Sequence, residues 1–278
     1  MKFSIVTPTR NNLDKLKRCV GSVRGQVEVE YEHIIQDAMS EDGTGDWLAM
    51  QADITGVSES DGGMYDAINR GWARSSGDIL SWLNSDEQYL PGTLAMVRSV
   101  FENQPDVDFV YGNFIVVDAD GRPVAARREI RLSELYISNG FLNSASCTLF
   151  FRRRLLDNGL LWLNVSYHYA SDMDLILRLL KNNNKYKHID GYLSLFAIDG
   201  TNLSCHPGML EETESIGFSH KRSNVGMVRR FFMLGRLMER IAAGSYFPGK
   251  VEYDYVTDEQ GGRVKYMSNG LSASYSTR

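Results

Sequence analysis

The sequence predicts an α/β protein with a mostly parallel central sheet and flanking helices. Three observations carry this expectation. Short apolar runs alternate with amphipathic stretches through the first 110 residues, the pattern of strands joined by crossover helices. One of those runs, Ile79–Leu83, is apolar at nearly every position, as suits a strand covered on both faces. Polar and acidic clusters follow the ends of successive runs, where open α/β sheets bind their ligands.

The elements follow in order. Phe3–Thr7 reads as a first strand stopped by Pro8. Leu13, Leu16, Lys17 and Val20 keep a helical period to about residue 25. Tyr31–Gln36 is a second short strand that runs into DAMSEDGTGD, a loop rich in acids and glycine. Trp47–Ala52 reads as helix and Thr55–Ser58 as strand. Met64, Ala67, Ile68, Gly71 and Trp72 recur at i, i+3, i+4, i+7 and i+8, a helix with one buried face. Ile79–Leu83 is the fourth strand, Leu94–Asn103 a helix, and Phe109–Tyr111 the next strand. Beyond residue 112 the pattern loosens. Phe114–Asp118 and Pro123–Ala126 flank Asp120-Gly121, a hairpin signal. Thr148–Phe151 is a strand, Asp174–Asn182 a helix with Ile176, Leu177 and Leu180 inward, and Gly191–Ile198 a last strand. The expected organisation is one unit over residues 1–210 and a C-terminal helical appendage with a polar tail over 211–278.

Composition narrows the function. The 278 residues are ample for a core. Thirty Lys and Arg against 35 Asp and Glu give a net charge of −5, which argues against nucleic acid as the main partner. Cys19, Cys147 and Cys205 are isolated, with no Cys-x-x-Cys pair. A zinc ribbon or disulfide framework is not expected, and a reducing, cytoplasmic setting is. The N-terminal MKFSIVTPTRNN lacks the apolar core of a signal peptide, and no run approaches 18 apolar residues, so no spanning helix is expected. There is no Gly-x-x-x-x-Gly-Lys-Ser/Thr run, no Gly-x-Gly-x-x-Gly after the first strand and no Gly-x-Ser-x-Gly elbow.

The strand-end clusters point to chemistry. Thr7, Pro8 and Thr9 follow the first strand, Asp37 the second, Glu59 and Asp61 the third, and Asn84, Asp86 and Glu87 the fourth. Any one such cluster is also ordinary loop chemistry, since Asp and Gly suit turns. Together they form an acidic rim, and gathered like charges are costly without a positive partner. Hard divalent cations take oxygen ligands, and Mg²⁺ or Mn²⁺ commonly shares one or two carboxylates with substrate phosphates. The residues therefore point to a cation-assisted site for a nucleotide diphosphate.

FSIVTPTRNN, HIIQDAMSEDGT and SESDGGMYDAINRGWARSSGDILSWLNSDEQYLPGTL, in that order and spacing, resemble the inverting glycosyltransferases of family 2, with the GT-A fold. The resemblance runs from residue 3 to about 200 and is nearest to the bacterial subgroup that builds polysaccharides and lipid-linked glycans. It implies a nucleotide-diphosphate sugar as donor, carrying a hexose or N-acetylhexosamine, and a glycan or lipid-linked acceptor. Thr7, Pro8 and Thr9 then open the nucleotide pocket, Asp37 recognises base or ribose, and Glu59 and Asp61 lie in the segment lining the nucleotide. The family's Asp-x-Asp metal motif falls on Asn84-Ser85-Asp86, followed by Glu87. With Asn in the first place, Mn²⁺ or Mg²⁺ is assigned mainly to Asp86, then Glu87. Asn84 and Ser85 are left to the donor. His206, after the last strand, matches a third ligand of some GT-A enzymes. In YASDMDLILRLL, Asp172 matches the family's base and Asp174 is the next helix-facing acid. Without the family, Ser171 and these acids also read as a capped helix start. Where many relatives have a His-Gln pair, this chain has Ser146-Cys147.

Near the C-terminus, Met227, Phe231, Leu234, Met238 and Ile241 form an apolar stripe, with Arg229, Arg236 and Arg240 opposite. Such a helix, over about 226–242, fits packing on the first unit, pairing in a homodimer, or peripheral contact with an anionic membrane. Two other functions compete with the transferase. One is a non-catalytic nucleotide-sugar-binding relative, which Asn84 favours and the presence of both Asp86 and Asp172 disfavours. The other is a sugar nucleotidyltransferase, which would want a glycine-rich loop where TPTRNNLDK stands.

Overall fold

The computed structural model describes residues 1–200, 202, 206–220 and 226–274. Cys205 lies outside the described residues, as do the side chains of Met227 and Arg229. The first half alternates as the apolar pattern predicts. It comprises β1 (Lys2–Thr9), α1 (Leu13–Arg24), β2 (Glu30–Asp37), α2 (Thr44–Ala49), β3 (Ile54–Ser58), α3 (Met64–Arg74) and β4 (Ile79–Trp82). β3, β2, β1 and β4 lie side by side and all pair in parallel.

The second half brings antiparallel partners. β5 (Gln88–Tyr89) and α4 (Thr93–Asn103) precede β6 (Phe109–Val117) and β7 (Pro123–Arg127). After α5 (Glu134–Ser138) come β8 (Phe150–Arg152), α6 (Arg153–Asp157), α7 (Ser171–Lys181) and β9 (Tyr186–Ala197). β8 slots antiparallel between β4 and β6, β9 runs parallel to β6, and β5 closes on β9 antiparallel. The sheet is thus mixed, with its parallel half on the β1 side.

β1, β6 and β9 run further than the sequence pattern suggests, β9 beginning at Tyr186. β1 continues through Pro8 to Thr9, because its register with β4 ends at Val6 and beyond that it pairs with β2 alone. A proline is tolerated where one side of the ladder is open. β6 joins the two runs expected at 109–111 and 114–118 into one strand. At its middle Gly112 lies against Leu193, whose side chain would come within 2.5 Å of any Cβ there, and the pairing with β9 shifts register at this point.

The core has two layers. On one face of the sheet, Trp72 of α3 meets Trp82 edge-on at 5.5 Å, and Trp82 stacks on Phe151 at 6.0 Å. α7 adds Leu175, Ile176 and Leu179 to the same cluster. On the other face, Cys19 and Val23 of α1 and Leu94, Val97 and Phe101 of α4 pack over Phe3, Ile5 and Phe150.

The C-terminal segment corrects an expectation. Two helices are present, α8 (Gly208–Ser219) and α9 (Gly226–Ala242), but the tail expected to be polar forms an antiparallel pair, β10 (Lys250–Val256) and β11 (Arg263–Asn269). Val251, Tyr253 and Tyr255 alternate along β10 and pack on Leu90, Ile115, Val117, Ala126 and Leu195. The Tyr255 ring sits where a Cβ on Gly121 would be, and Gly121 has φ +81°, so the turn between β6 and β7 requires glycine. The tail is held because its charged residues conceal a two-residue apolar period.

Candidate active site

A cleft of about 890 Å³ opens at the carboxyl ends of β1 and β4, the position open α/β sheets use for ligands. Pro8, Thr9, Asp61, Asn84, Ser85, Asp86, Glu87 and Asp172 all line it. Three parallel-strand ends and the start of α7 therefore converge, although Pro8 and Asp172 are far apart in the sequence.

Each part has a local cause. Thr9 is the last residue of β1 and its buried hydroxyl has no partner among the described residues. Asp61 turns the chain into α3, accepting the Gly63 N–H at 2.9 Å. Gly63, at φ +113°, makes that entry possible. After β4 the loop tightens around Glu87, whose buried carboxylate accepts the Asn84 N–H at 2.9 Å and the Ser146 hydroxyl at 3.3 Å. Burial, with the neighbouring Asp86 charge, pushes Glu87 up to about 8. Asp86 is raised too, again by burial; the Lys15 ammonium opposes the rise and Asp199 adds to it. Lys15 and Asp199 form an ion pair beside it. The side-chain oxygen Oδ1 of Asn84 is buried and without a partner among the described residues.

Asp172 is in the first turn of α7. Burial raises it to about 6, against the pull of the Met173 N–H, which it accepts at 2.8 Å. Ser171 does not cap the helix: it is the first helical residue, and its buried hydroxyl is unpartnered. The chain just before the helix is held from elsewhere. Glu212 of α8 accepts the N–H groups of His168, Tyr169 and Ala170 at 2.7, 2.8 and 3.1 Å, fixing the chain as it enters α7. Asp174 pairs with Arg178 at 2.8 Å and with His220 at 3.5 Å, turned away into the α7–α8 packing.

Four expected residues stand outside the cleft lining. Thr7 is wholly buried and bonds the His33 ring at 2.9 Å. Asp37 is also fully buried, holding the Ser40 hydroxyl and the Ser58 hydroxyl, the latter at 2.6 Å; its neighbour Ala38 lines the cleft instead. Glu59 faces α3, paired with Arg74 at 2.9 Å and Arg70 at 3.2 Å, which hold its carboxyl below the usual range. The His206 ring stacks on Tyr169 at 4.6 Å, and its Nδ1 accepts the Gly208 N–H at 3.1 Å. Among the described residues no three His, Cys, Asp or Glu side chains group closely enough to hold a metal ion alone.

The cleft also holds residues the sequence pattern did not single out: Arg10, Asn12 and Lys15, then Tyr65, Ser144 and Tyr169. Arg10 and Lys15 had a signal, being the cations nearest the first strand end. Glu212 had none, because only the packing of α8 brings it to α7.

A cleft at parallel strand ends that gathers Asp61, Asp86, Glu87 and Asp172 beside Arg10 and Lys15 defines an α/β protein with a charged cleft in the position such sheets use for ligands. The model for glycosyl transferase family 2 matches residues 4–159. This chain belongs to family 2 of the glycosyltransferases and is a glycosyltransferase. It is 29% identical over 196 residues to a PGL/p-HBAD biosynthesis glycosyltransferase of Mycobacterium bovis, covering 67% of this chain and 74% of that protein. It is 35% identical over 119 residues to an uncharacterized glycosyltransferase of Mycobacterium tuberculosis, covering 39% and 43%. In fold it is similar to S. aureus TarS 1-349 solved with UDP-GlcNAc, at TM-score 0.62 and 17% identity over 88% of this chain and 75% of that one. It is also similar to a mannosyltransferase of Pyrobaculum calidifontis solved with GDP-Man and Mn²⁺, at TM-score 0.54 and 15% identity over 85% and 79%. The architecture is the GT-A fold.

Proposed function

We propose that the protein transfers a hexose or N-acetylhexosamine from a nucleotide-diphosphate sugar to a glycan or lipid-linked acceptor, in a single displacement with inversion. The observation that supports it best is one cleft holding both the β4-end acid Asp86 and the separate carboxylate Asp172. An inverting transfer needs two such groups: one end to manage the leaving diphosphate, and a base to take the acceptor's proton as its oxygen attacks the anomeric carbon.

Asp172 serves as that base. A carboxylate held near 6 is still ionised at neutral pH and is a stronger base than a solvated one. Thr9 and Asn84 offer unpartnered polar atoms to the ribose and base, with Asp61 and Ser85 beside them. Arg10 brings positive charge to the diphosphate, with Lys15, paired to Asp199, beside it. Thr7, Asp37 and Glu59 serve the donor from behind, by fixing the strand ends that carry Pro8, Ala38 and Asp61.

The residues fit a divalent cation, Mn²⁺ or Mg²⁺. Asp86 is a carboxylate whose charge burial disfavours, next to an unpartnered Asn84 oxygen. With no self-sufficient ligand set among the described residues, Asp86 would share the ion with the donor's phosphates, and Glu87 would support the loop. When bound, the cation supplies charge neutralisation for the leaving diphosphate.

The test is a panel of UDP-, GDP- and dTDP-sugars with Mn²⁺, reading released nucleoside diphosphate. Release with at least one donor is expected, and Asp172→Asn should keep donor binding while losing transfer. A native rate in that variant removes the base assignment. Asn84 in place of an acid favours a second reading, a nucleotide-sugar binder without turnover. Donor-dependent thermal stabilisation with no release across the panel and several acceptors would establish it.

A further inference from the structure

α9 is mounted inside out. Its charged side faces the protein. Arg236 donates from Nε and Nη2 to Asn143 at 3.1 and 2.8 Å and lies over the Phe141 ring at 4.7 Å. Arg240 is 4% exposed, lies over the Tyr246 ring at 5.0 Å and reaches the Ala273 carbonyl at 3.4 Å. Glu239, the only acid in the helix sequence, pairs with Arg131 at 2.7 Å and accepts the Tyr136 hydroxyl at 3.0 Å. The apolar side faces out: Phe231 is 67% exposed, Leu234 55%, Met238 59% and Ile241 49%. Just beyond the helix Phe247 is 77% exposed. A monomer rarely leaves so many large apolar side chains together in water without a use for them.

We infer that α9 seats the protein on an anionic lipid surface, with its apolar stripe in the headgroup–acyl boundary. Charge decides the occupant. Of the five Lys or Arg between 226 and 250, Arg236 and Arg240 are engaged inward and Lys250 is paired with Glu252, so Arg230 is the cation described on the outward side; the one acid of this stretch is Glu239. That acid is turned inward and neutralised, while Arg230 is exposed at the edge of the stripe. An apolar face that carries a cation at its edge and, among the described residues of the helix, no outward acid suits anionic headgroups. A second copy docking the same face would meet the same positive charge. The 17-residue helix is about 25 Å long, enough to lie in the interface and too short to span it.

The placement has a consequence for the acceptor. Asn143, which Arg236 grips, stands between Leu142 and Ser144, and both line the cleft. α9 therefore sets the lipid surface beside the 142–146 side of the cleft. This point alone rests on the transferase reading, and it favours the lipid-linked acceptor over a free glycan.

The test is flotation of the full-length chain with vesicles of phosphatidylcholine alone and with about 30% phosphatidylglycerol. Recovery with the anionic vesicles is expected, falling severalfold at 0.5 M salt and at least tenfold in the Leu234→Glu/Met238→Glu variant. Phe231→Trp should have its emission quenched by brominated acyl chains, a readout that a folding defect does not produce. Light scattering runs alongside. Equal flotation of native chain and double variant with both vesicles overturns the proposal. So does a native dimer that the double variant dissolves, which would make a second copy the occupant. Neither readout uses turnover, so failure here leaves the proposed transferase untouched, and failure of transfer leaves the lipid seat untouched.

Discussion

α7 and α9 are both amphipathic helices, and they are mounted in opposite senses. α7 buries Met173, Leu175, Ile176, Leu177 and Leu179 and leaves one half-buried carboxylate, Asp172, at the cleft. α9 buries Arg240 and half-buries Arg236, leaving Phe231, Leu234 and Met238 in water. Periodicity reveals that a helix has two faces. Which face turns inward depends on the partner each face finds: α7 meets the aromatic floor of the sheet, while α9 meets Asn143, Phe141, Arg131 and Tyr136, which answer charge better than they answer aliphatic groups. The difference teaches that an apolar stripe is evidence of an interface and not of where the interface lies.

The largest effect should come from the polar residue of α7. Asp172→Asn is expected to lower the turnover of the proposed transfer by about 10²–10⁴-fold, measured as nucleoside diphosphate release at saturating donor. In the native enzyme kcat/KM should fall with decreasing pH below about 6 and the limb should vanish in the variant's residual activity. The same substitution should stabilise the fold. A carboxyl raised from 3.8 to about 6 favours folding when protonated, so that contribution is lost as pH climbs through this window. The amide of the Asp172→Asn variant does not titrate and suffers no such loss. The variant's melting temperature should therefore exceed the native one at pH 8, and the gap should close below pH 4. An unchanged gap across this range would show that Asp172 is not held as described.

Next comes the apolar face of α7. Ile176→Ala should cost about 2–5 kcal/mol by chemical denaturation, the usual range for truncating a fully buried side chain. Glu212→Ala is a smaller break, about 1–3 kcal/mol for three N–H groups left without their acceptor. Because those groups set the entry to α7, kcat should drop with little change in donor KM; a change in KM alone would mark Glu212 as structural. Smallest of all is the apolar face of α9: Leu234→Ala should stay within about 0.5 kcal/mol of native. A loss as large as that of Ile176→Ala would mean that Leu234 is covered in solution, and would erase the contrast between the two helices.

Much of the site was legible because the GT-A half is read locally. Strand ends announce themselves by an apolar run closing in polar residues, so Thr9, Asp61, Asn84, Asp86 and Glu87 could be gathered from separate positions. Thr7, Asp37 and Glu59 carry the same signal, yet they stand outside the cleft lining: a carboxylate at a strand end looks identical in sequence whether it faces solvent or, as Asp37 does, two serines. Ser171 has the residue type of a cap but caps nothing, while Glu212 from a later helix holds the chain just before α7, and no spacing rule links two residues on different elements so far apart in the chain. The hairpin β10–β11 is hidden in the sequence because Tyr253 and Tyr255 are separated by acids in a stretch whose overall composition is polar.

The sequence by itself determined the alternation of strands and helices, the strand-end placement of the acids and the two-faced character of α9, because each depends on the order of side chains within a few residues. Only the tertiary structure decided that Asp86 and Asp172 share one cleft, that Glu212 holds the entrance to α7, and that α9 turns its arginines inward. Those outcomes depend on which surfaces meet. Meeting is settled by the whole set of competing burials and ion pairs, and no single segment contains that information.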